Sequence, residues 1–368
     1  MDKKYMKMAL DLAALARGRT SPNPMVGSVI VKNGSLIGKG YHRKAGTPHA
    51  EIHALREAGE AAKGATIYVT LEPCCHHGRT GPCTEAILSA GIKRAVVAMT
   101  DPNPLVAGKG LERLSNAGVE VVSGLLAEES ARLNEVFIKY ITTKMPFAVL
   151  KTAMSLDGKI AAYTGHSKWI TGPAARGYVH HLRNSYDAIL IGIGTLLADN
   201  PSLTTRLSDQ DGNETGRDPM RIIVDSLART PPDAKVLTQA SAAPTIIAVT
   251  GAAPKDRVQK LLDAGAQIIT AGDGPKVDLP YLFKSLTARE ISSILVEGGA
   301  TINASALNQG LIDKVIWFIA PKIIGGKEAP SPVGGQGVAA ATEALQLDRI
   351  SVQHFEEDIC IEGYIKKM

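Results

Sequence analysis

The stretch Pro48-His49-Ala50-Glu51-Ile52-His53-Ala54-Leu55, followed by Tyr68-Val69-Thr70-Leu71-Glu72-Pro73-Cys74 and then Cys83, decides how the first part of this 368-residue chain is read. His49, Cys74 and Cys83 supply one imidazole and two thiolates, a donor set suited to Zn2+, which in catalytic sites keeps a fourth tetrahedral position for water and lowers its pKa towards neutrality. Glu51 is placed to carry protons for that water; in zinc deaminases such a carboxylate is not itself a ligand. The pattern therefore predicts hydrolytic deamination of a nucleobase-like ring. The general signature has two residues between its cysteines, whereas eight separate Cys74 from Cys83, so Cys75 and His76 compete as ligands. Cys74 is preferred because it follows Pro73 at the end of the apolar strand 65–71, and Cys83 opens a helix. His53 shares the helix face of His49 and is either a further ligand or a packed side chain.

Outward from this motif, residues 2–17 read as a helix with Met6, Leu10, Ala13 and Ala14 on one face, broken by Gly18 and by Pro22-Asn23-Pro24. Strands 26–31 and 36–42 flank Asn33-Gly34, a hairpin signal. After the helix that begins at His49 come strand 66–71, helix 83–90, strand 94–99, helix 109–117, strand 120–123 and helix 128–144. This alternation implies a sheet with helices on both faces. Asn23 and the loop Asp101-Pro102-Asn103-Pro104 put polar side chains beside strand ends, where open α/β sheets bind ligands; ordinary turn chemistry accounts for the same residues without one.

Met145-Pro146 interrupts the pattern, and the domain boundary is placed there, giving domains of residues 1–145 and 146–368. The second half carries strands 147–151, 188–193, 220–224, 245–249, 267–270, 293–296 and 314–320, with helices 255–264 and 301–309. Its strongest chemical signal is Ile294-Leu295-Val296-Glu297-Gly298-Gly299-Ala300-Thr301, a buried strand, a glycine pair and a helix start. That arrangement suits a phosphate held by backbone N–H groups, and it equally describes a tight turn. Gly192-Ile193-Gly194-Thr195 is a second glycine-rich strand end, and neither reproduces the dinucleotide fingerprint.

Composition limits the remaining choices. With 45% hydrophobic and 21% charged residues and no apolar run long enough to span a bilayer, the chain reads as soluble, without membrane partners. Its first residues lack a signal-peptide core, which makes the cytoplasm the expected location. Three of four cysteines fall within ten residues, a distribution suited to metal ligation in a reducing compartment, while Cys360 reads as a core residue. Residues 1–145 hold 19 Lys and Arg against 13 Asp and Glu; the remainder holds 22 against 23. Such a surplus suits a small anionic substrate or a merely solvated surface, and it falls short of a nucleic-acid-binding stripe.

These motifs, together with His76-His77-Gly78-Arg79-Thr80, Lys151-Thr152-Ala153-Met154-Ser155-Leu156-Asp157-Gly158-Lys159, Ser167-Lys168-Trp169-Ile170-Thr171 and Asp199-Asn200-Pro201-Ser202-Leu203-Thr204, closely resemble the bacterial bifunctional riboflavin-biosynthesis deaminase/reductase over essentially the whole chain. The resemblance implies an α/β chain with an N-terminal cytidine-deaminase-like α/β/α domain and a C-terminal dihydrofolate-reductase-like α/β domain. It implies zinc-dependent deamination of 2,5-diamino-6-(5-phosphoribosylamino)pyrimidin-4-one, then NADPH-dependent reduction of the ribosyl group to ribityl. His49, Cys74 and Cys83 match the zinc ligands, and Glu51 the proton carrier. Ala153, Trp169, Thr195, Asp199, Ser226 and the run Gly299, Ala300, Thr301, Ile302, Asn303, Ala304, Ser305 match cofactor contacts. Ser167, Arg183, Leu203, Arg206 and Glu297 match substrate contacts, to which the loop reading adds Asn23, Asp101 and Asn103.

Arg183 and Arg206 suit a phosphate because guanidinium groups grip it bidentately, and Arg79 offers the same in the loop between the cysteines or simply faces solvent. Lys151 and Asp199 are the ionisable candidates for proton supply in the reductase, or else form a structural ion pair. Cys75 stands where relatives are expected to carry serine. The partners expected are phosphorylated pyrimidines and a second copy of the chain, with no nucleic acid. Two other readings are a nucleoside or tRNA deaminase fused to an unrelated α/β domain, and a zinc-stabilised binding module; three ligands plus a carboxylate favour an open catalytic site over the latter.

Overall fold

A computed structural model describes residues 1–75, 81–104, 106–208 and 215–366. Arg79 and His76 lie outside the described residues. The chain divides into two compact units, Met1–Met145 and Pro146–Met368. Among the described residues no helix is long and apolar enough to cross a membrane.

The first unit runs α1 (Asp2–Ala14), β1 (Gly27–Lys32), β2 (Ser35–Tyr41), α2 (Ala50–Ala58), β3 (Thr66–Val69), α3 (Cys83–Ser89), β4 (Arg94–Val97), α4 (Lys109–Asn116), β5 (Glu120–Ser123), α5 (Ala127–Leu133) and α6 (Glu135–Thr143). Its sheet has the order β2-β1-β3-β4-β5, antiparallel at β2-β1-β3 and parallel from β3 to β5. Asn33 and Gly34, both at positive φ, make the tight β1–β2 turn that the Asn-Gly pair predicts.

The period of two along the strands divides the core. Val29, Val31, Tyr68 and Val96 pack against Tyr5, Met6 and Ala9 of α1, while Ile30, Ile67 and Ala95 pack with Ala54, Ile87 and Leu114 of α2, α3 and α4. Gly38 and Gly40 on β2 let α2 press onto the sheet: a Cβ at Gly38 would lie 2.3 Å from the Ala54 carbonyl oxygen, and one at Gly40 would lie 2.6 Å from that of Ala50. This contact fixes the start of α2, and with it His49.

Several element ends differ from the sequence reading by one to four residues, the strand from 147 running to Ser155 and not to 151, and two further differences concern helices of the first unit. Helix α1 ends at Ala14, where a run of turns replaces the expected last turn. The single helix expected over 128–144 is two helices meeting at Asn134, which is 2% exposed. The Asn134 side chain explains the break: Oδ1 accepts from Met25 N (2.8 Å), and Nδ2 donates to Met25 O (3.0 Å).

The second unit contains β6 (Phe147–Ser155), α7 (Pro173–Ser185), β7 (Ala188–Gly192), α8 (Ile193–Asp199), β8 (Met220–Val224), α9 (Lys235–Thr238), β9 (Thr245–Val249), α10 (Lys255–Asp263), β10 (Gln267–Thr270), α11 (Leu279–Thr287), β11 (Ser293–Val296), α12 (Ala300–Asn308), β12 (Lys314–Ala320), β13 (Leu347–Phe355) and β14 (Asp358–Ile365). Its sheet has the order β10-β9-β8-β7-β11-β6-β12-β14-β13 and is parallel except for the β14 and β13 pairings. Strand order reverses where β11 inserts between β7 and β6, and at such a switch point the carboxyl ends of parallel strands leave a crevice. Cys360 is fully buried on β14.

Replacing Asn134 by Ala removes both bonds to the backbone of the half-buried Met25 and leaves its N–H and carbonyl without that partner. The variant is expected to lose about 1–3 kcal/mol of stability. A denaturant midpoint equal to that of the parent would contradict the structural role given to this side chain.

Candidate active sites

In the first unit the three predicted ligands converge. His49 is the N-cap of α2, Cys74 follows β3, and Cys83 is the first residue of α3. His49 Nδ1 lies 3.2 Å from Cys83 Sγ and 3.6 Å from Cys74 Sγ. Tetrahedral zinc with ordinary Zn–N and Zn–S bonds separates nitrogen from sulfur by roughly 3.5 Å, so these atoms stand close to the edges of a zinc polyhedron. Among the described residues this trio is the one group of three His, Cys, Asp or Glu side chains able to hold a metal ion; Cys75 and His53 are not in it.

The backbone N–H of Cys83 donates to Cys74 Sγ at 3.4 Å, adding an amide to the charge stabilisation of that sulfur. A hydrogen bond from the Cys83 thiol holds the Cys74 thiol well below the ordinary cysteine range, and the same bond together with burial pushes Cys83 up. His49 is raised, first by its hydrogen bond with Cys74.

Glu51 lies in the first turn of α2, 3% exposed, and its Oε2 has no hydrogen-bond partner within the protein. Burial pushes its carboxyl up, against the pull of His49, and its side chain also interacts with Cys83. A buried carboxyl with an idle oxygen beside metal ligands is poised to exchange protons.

His42, which the sequence reading left unassigned, joins this site. It is buried at the end of β2 with its ring edge-on to His49, 5.4 Å between centroids. A proton on Nδ1 lets it donate to the Pro48 carbonyl (3.3 Å) and leaves Nε2 to accept from Asn23 Nδ2 (3.4 Å), and burial lowers its pKa, favouring this neutral form. Asn23 is thereby oriented beside the metal ligands. Asp101 and Asn103 stand half-buried on the loop after β4, where Asp101 Oδ1 accepts from Asn103 N (2.8 Å).

In the second unit a cavity of about 1050 Å³ opens at the carboxyl ends of β6, β7, β8 and β11. Ala153, Trp169, Thr195, Asp199, Ser226, Gly299, Ala300, Thr301, Ile302 and Ser305 line it, as do Lys151, Ser167 and Glu297. Asn303 and Ala304 face the other side of α12: Asn303 is fully buried and donates from Nδ2 to the Pro332 carbonyl (2.8 Å). Leu203 belongs to the apolar core with Ile189, Leu196 and Ile223, and Arg206 is exposed outside the lining. The Arg206 N–H donates to His180 Nδ1 (3.3 Å), whose ring burial holds at about 4, aided by the charges of Arg183 and Arg206.

The glycine pair after β11 has a steric purpose. A Cβ at Gly298 would meet Ile302 Cγ2 at 2.9 Å, and one at Gly192 would meet Ile302 Cγ1 at 2.6 Å, so both glycines admit α12 against the strand ends. The helix has no side-chain cap, and its first turn faces the cavity, an arrangement suited to a phosphate.

Charge inside the cavity is organised around Glu297. Arg183 donates from Nε to Oε1 (2.9 Å) and from Nη2 to Oε2 (3.0 Å), Lys151 Nζ lies 3.5 Å from Oε2, and Arg183 Nη1 donates to the Thr204 carbonyl (3.1 Å). All three Arg183 nitrogens are therefore engaged, and Arg183 is not among the residues that line the cavity, which corrects the picture of an open phosphate fork. Lys151 pairs with Glu297 and not with Asp199, which accepts from Ser167 Oγ (3.4 Å). Burial alone would raise the Glu297 carboxyl, but Arg183 and then Lys151 overrule it and hold it at about 2.

Because the folded value lies below the ordinary 4.5, the stability this group contributes is present above about pH 4.5 and is lost as pH falls towards 2. The deficit of Glu297→Gln against the parent in urea unfolding is therefore expected to be constant near neutrality and to shrink between pH 5 and about 3. A gap independent of pH would mean that the carboxylate charge is not what holds the triad.

Comparison with known proteins matches each of the two units to a described family. A family model described as the cytidine and deoxycytidylate deaminase zinc-binding region matches residues 1–99, and one described as the RibD C-terminal domain matches residues 146–361. The chain is 44% identical to the riboflavin biosynthesis protein RibD of Actinobacillus pleuropneumoniae, covering 98% of this chain and 94% of that protein. It is 46% identical to the Aquifex aeolicus protein of the same name, covering 98% of each. Among solved structures it is similar to Acinetobacter baumannii RibD (TM-score 0.89, 41% identity, covering 100% and 99%). It is also similar to a diaminohydroxyphosphoribosylaminopyrimidine deaminase/5-amino-6-(5-phosphoribosylamino)uracil reductase of Thermotoga maritima (TM-score 0.86, 36% identity, covering 99% of each). These matches disfavour a deaminase fused to an unrelated domain.

Proposed function

The chain belongs to the RibD family and is a bifunctional deaminase/reductase of riboflavin biosynthesis, and from that premise we propose how its two units divide the work. Residues 1–145 deaminate diaminohydroxyphosphoribosylaminopyrimidine, the substrate named for the Thermotoga maritima relative, and residues 146–368 use NADPH to reduce the ribosyl group of the resulting 5-amino-uracil to ribityl. The observation that carries this reading is the convergence of His49 Nδ1 with two cysteine sulfurs beside a buried Glu51 whose Oε2 is unpaired.

His49, Cys74 and Cys83 would hold zinc, which supplies the Lewis acidity that makes water nucleophilic near neutral pH. Glu51 accepts a proton at Oε2 from the attacking water and delivers it to the ring nitrogen, then takes the second proton from the hydroxyl added to the ring carbon and passes it to the amino group, which leaves as ammonia; its raised pKa suits a group that must both take and give. Asn23, held by His42, and the Asp101–Asn103 loop bind the substrate, with Arg79 offered to its phosphate.

In the reductase unit a reduced nicotinamide cofactor supplies the hydride. The first turn of α12 would hold its pyrophosphate, and Ala153, Trp169, Thr195, Asp199 and Ser226 would orient it. Lys151 serves as the proton source for the open-chain sugar: it lines the cavity as Asp199 does, but its ammonium carries protons to donate and is anchored by Glu297. Arg206 offers its exposed guanidinium to the phosphate.

Incubation of the full chain with the diaminopyrimidine is expected to release ammonia without NADPH, and NADPH oxidation is expected to follow only once deaminated product is present. Glu51→Gln should keep its zinc, lose ammonia release by at least about 100-fold, and still oxidise NADPH when given the 5-amino-uracil directly. Near-parental deamination by this variant would remove Glu51 from its role, and failure to use the 5-amino-uracil while folded would contradict the division of labour.

A further inference from the structure

Glu72 sits at the turn that carries Cys74, and the reactions above make no use of it. It is 4% exposed, yet its carboxylate accepts four backbone N–H groups. Oε2 accepts from Asp101 (3.0 Å) and Gly108 (2.9 Å), and Oε1 from Gly110 (2.8 Å) and Leu111 (3.3 Å). All four donors belong to one segment, the loop after β4 and the first turn of α4. No side chain caps α4 from its own N-cap, Gly108, so Glu72 performs from a distant strand end what a local cap does elsewhere.

Two more contacts make this a shared frame. Glu72 N donates to Met99 O (3.0 Å), tying the same turn to the end of β4 just before the loop. A Cβ at Gly110 would lie 2.1 Å from the Pro73 carbonyl oxygen and 3.0 Å from Glu72 Oε1, so α4 rests with its backbone directly on the turn. The loop held in this way carries Asp101, which in turn accepts from Asn103 N.

We infer that Glu72 is a positioning residue of the deaminase: it fixes Asp101 and Asn103 relative to Cys74, and so governs substrate binding without touching substrate. The inference rests on the assignment of Asp101 and Asn103 as substrate contacts. A carboxylate is required, because four donors need an acceptor at both oxygens; an amide has the same shape but turns a donor towards two of them.

The test uses the full zinc-loaded chain as parent, Glu72→Gln, Asp101→Ala and the double variant. It measures KM and kcat for ammonia release, zinc content, and NADPH oxidation with the 5-amino-uracil as a control for the other unit. Glu72→Gln is expected to raise the deaminase KM about tenfold or more, with kcat within about twofold and zinc and reductase activity retained. In the Asp101→Ala background the same substitution should add little, because both act through one contact.

An unchanged KM for Glu72→Gln, fully additive effects, or joint loss of zinc and kcat overturns the inference. A raised KM for Asp101→Ala beside an unchanged one for Glu72→Gln does so while sparing the assignment of the loop. An unchanged KM for Asp101→Ala removes that assignment and the inference with it. Should Glu72→Gln not fold, Glu72→Asp keeps the charge on a shorter stem and is read in the same assays, with the same split between KM and kcat expected and the same outcomes overturning the inference.

Discussion

Close approach of a helix to strand positions that carry no side chain is the constraint on which both sites depend. Helix α2 lies on β2 because Gly38 and Gly40 present no side chain to the Ala54 and Ala50 carbonyls, and α12 meets β7 and β11 because Gly192 and Gly298 leave room for Ile302. Each approach places the first turn of a helix where chemistry occurs. In one unit that turn carries His49 and Glu51; in the other it offers uncapped amides to the cavity. None of these four glycines is required for a left-handed backbone angle, since their φ values are not positive, so their role is steric.

Once the helices are seated, buried charge must be handled, and the two units do so differently. Glu297 is ionised and surrounded, with three short contacts to Arg183 and Lys151. Burial raises the pKa of Glu51, and its idle oxygen leaves it ready to exchange a proton. A saturated carboxylate orders its neighbours; an unsaturated one is available for reaction.

How much of this was legible in the sequence depended on how local the cause was. Strands β8, β9, β11 and β12 keep the bounds read from the sequence because they lie inside the sheet and are continuous apolar runs, and the edge strand β10 keeps its bounds as well. The Asn33-Gly34 turn and the His49, Cys74 and Cys83 set were legible because the residue types themselves state the geometry. Helix α7 was not, since its buried positions Ala175, Val179 and Leu182 are spread among arginines, histidines and a glycine. Strand β13 was missed for the opposite reason: it is nearly all exposed, and it exists because β14 pairs with it.

The roles of Glu72 and Arg183 were out of reach for a further reason. Glu72 meets amides 29–39 residues away, and Arg183 meets a carboxylate 114 residues away, separations that no local pattern encodes. Asn134 similarly breaks a helix whose local sequence is continuous, because its partner is Met25.

The Lys151–Glu297–Arg183 group also has a charge balance. Two cations share one carboxylate, so the cluster retains a net positive charge in a place where water screens it poorly. The cavity wall therefore carries a standing electrostatic potential, present before any ligand arrives. An anionic guest entering there is met by a field already in place, and the protein need not reorganise its dipoles to supply it.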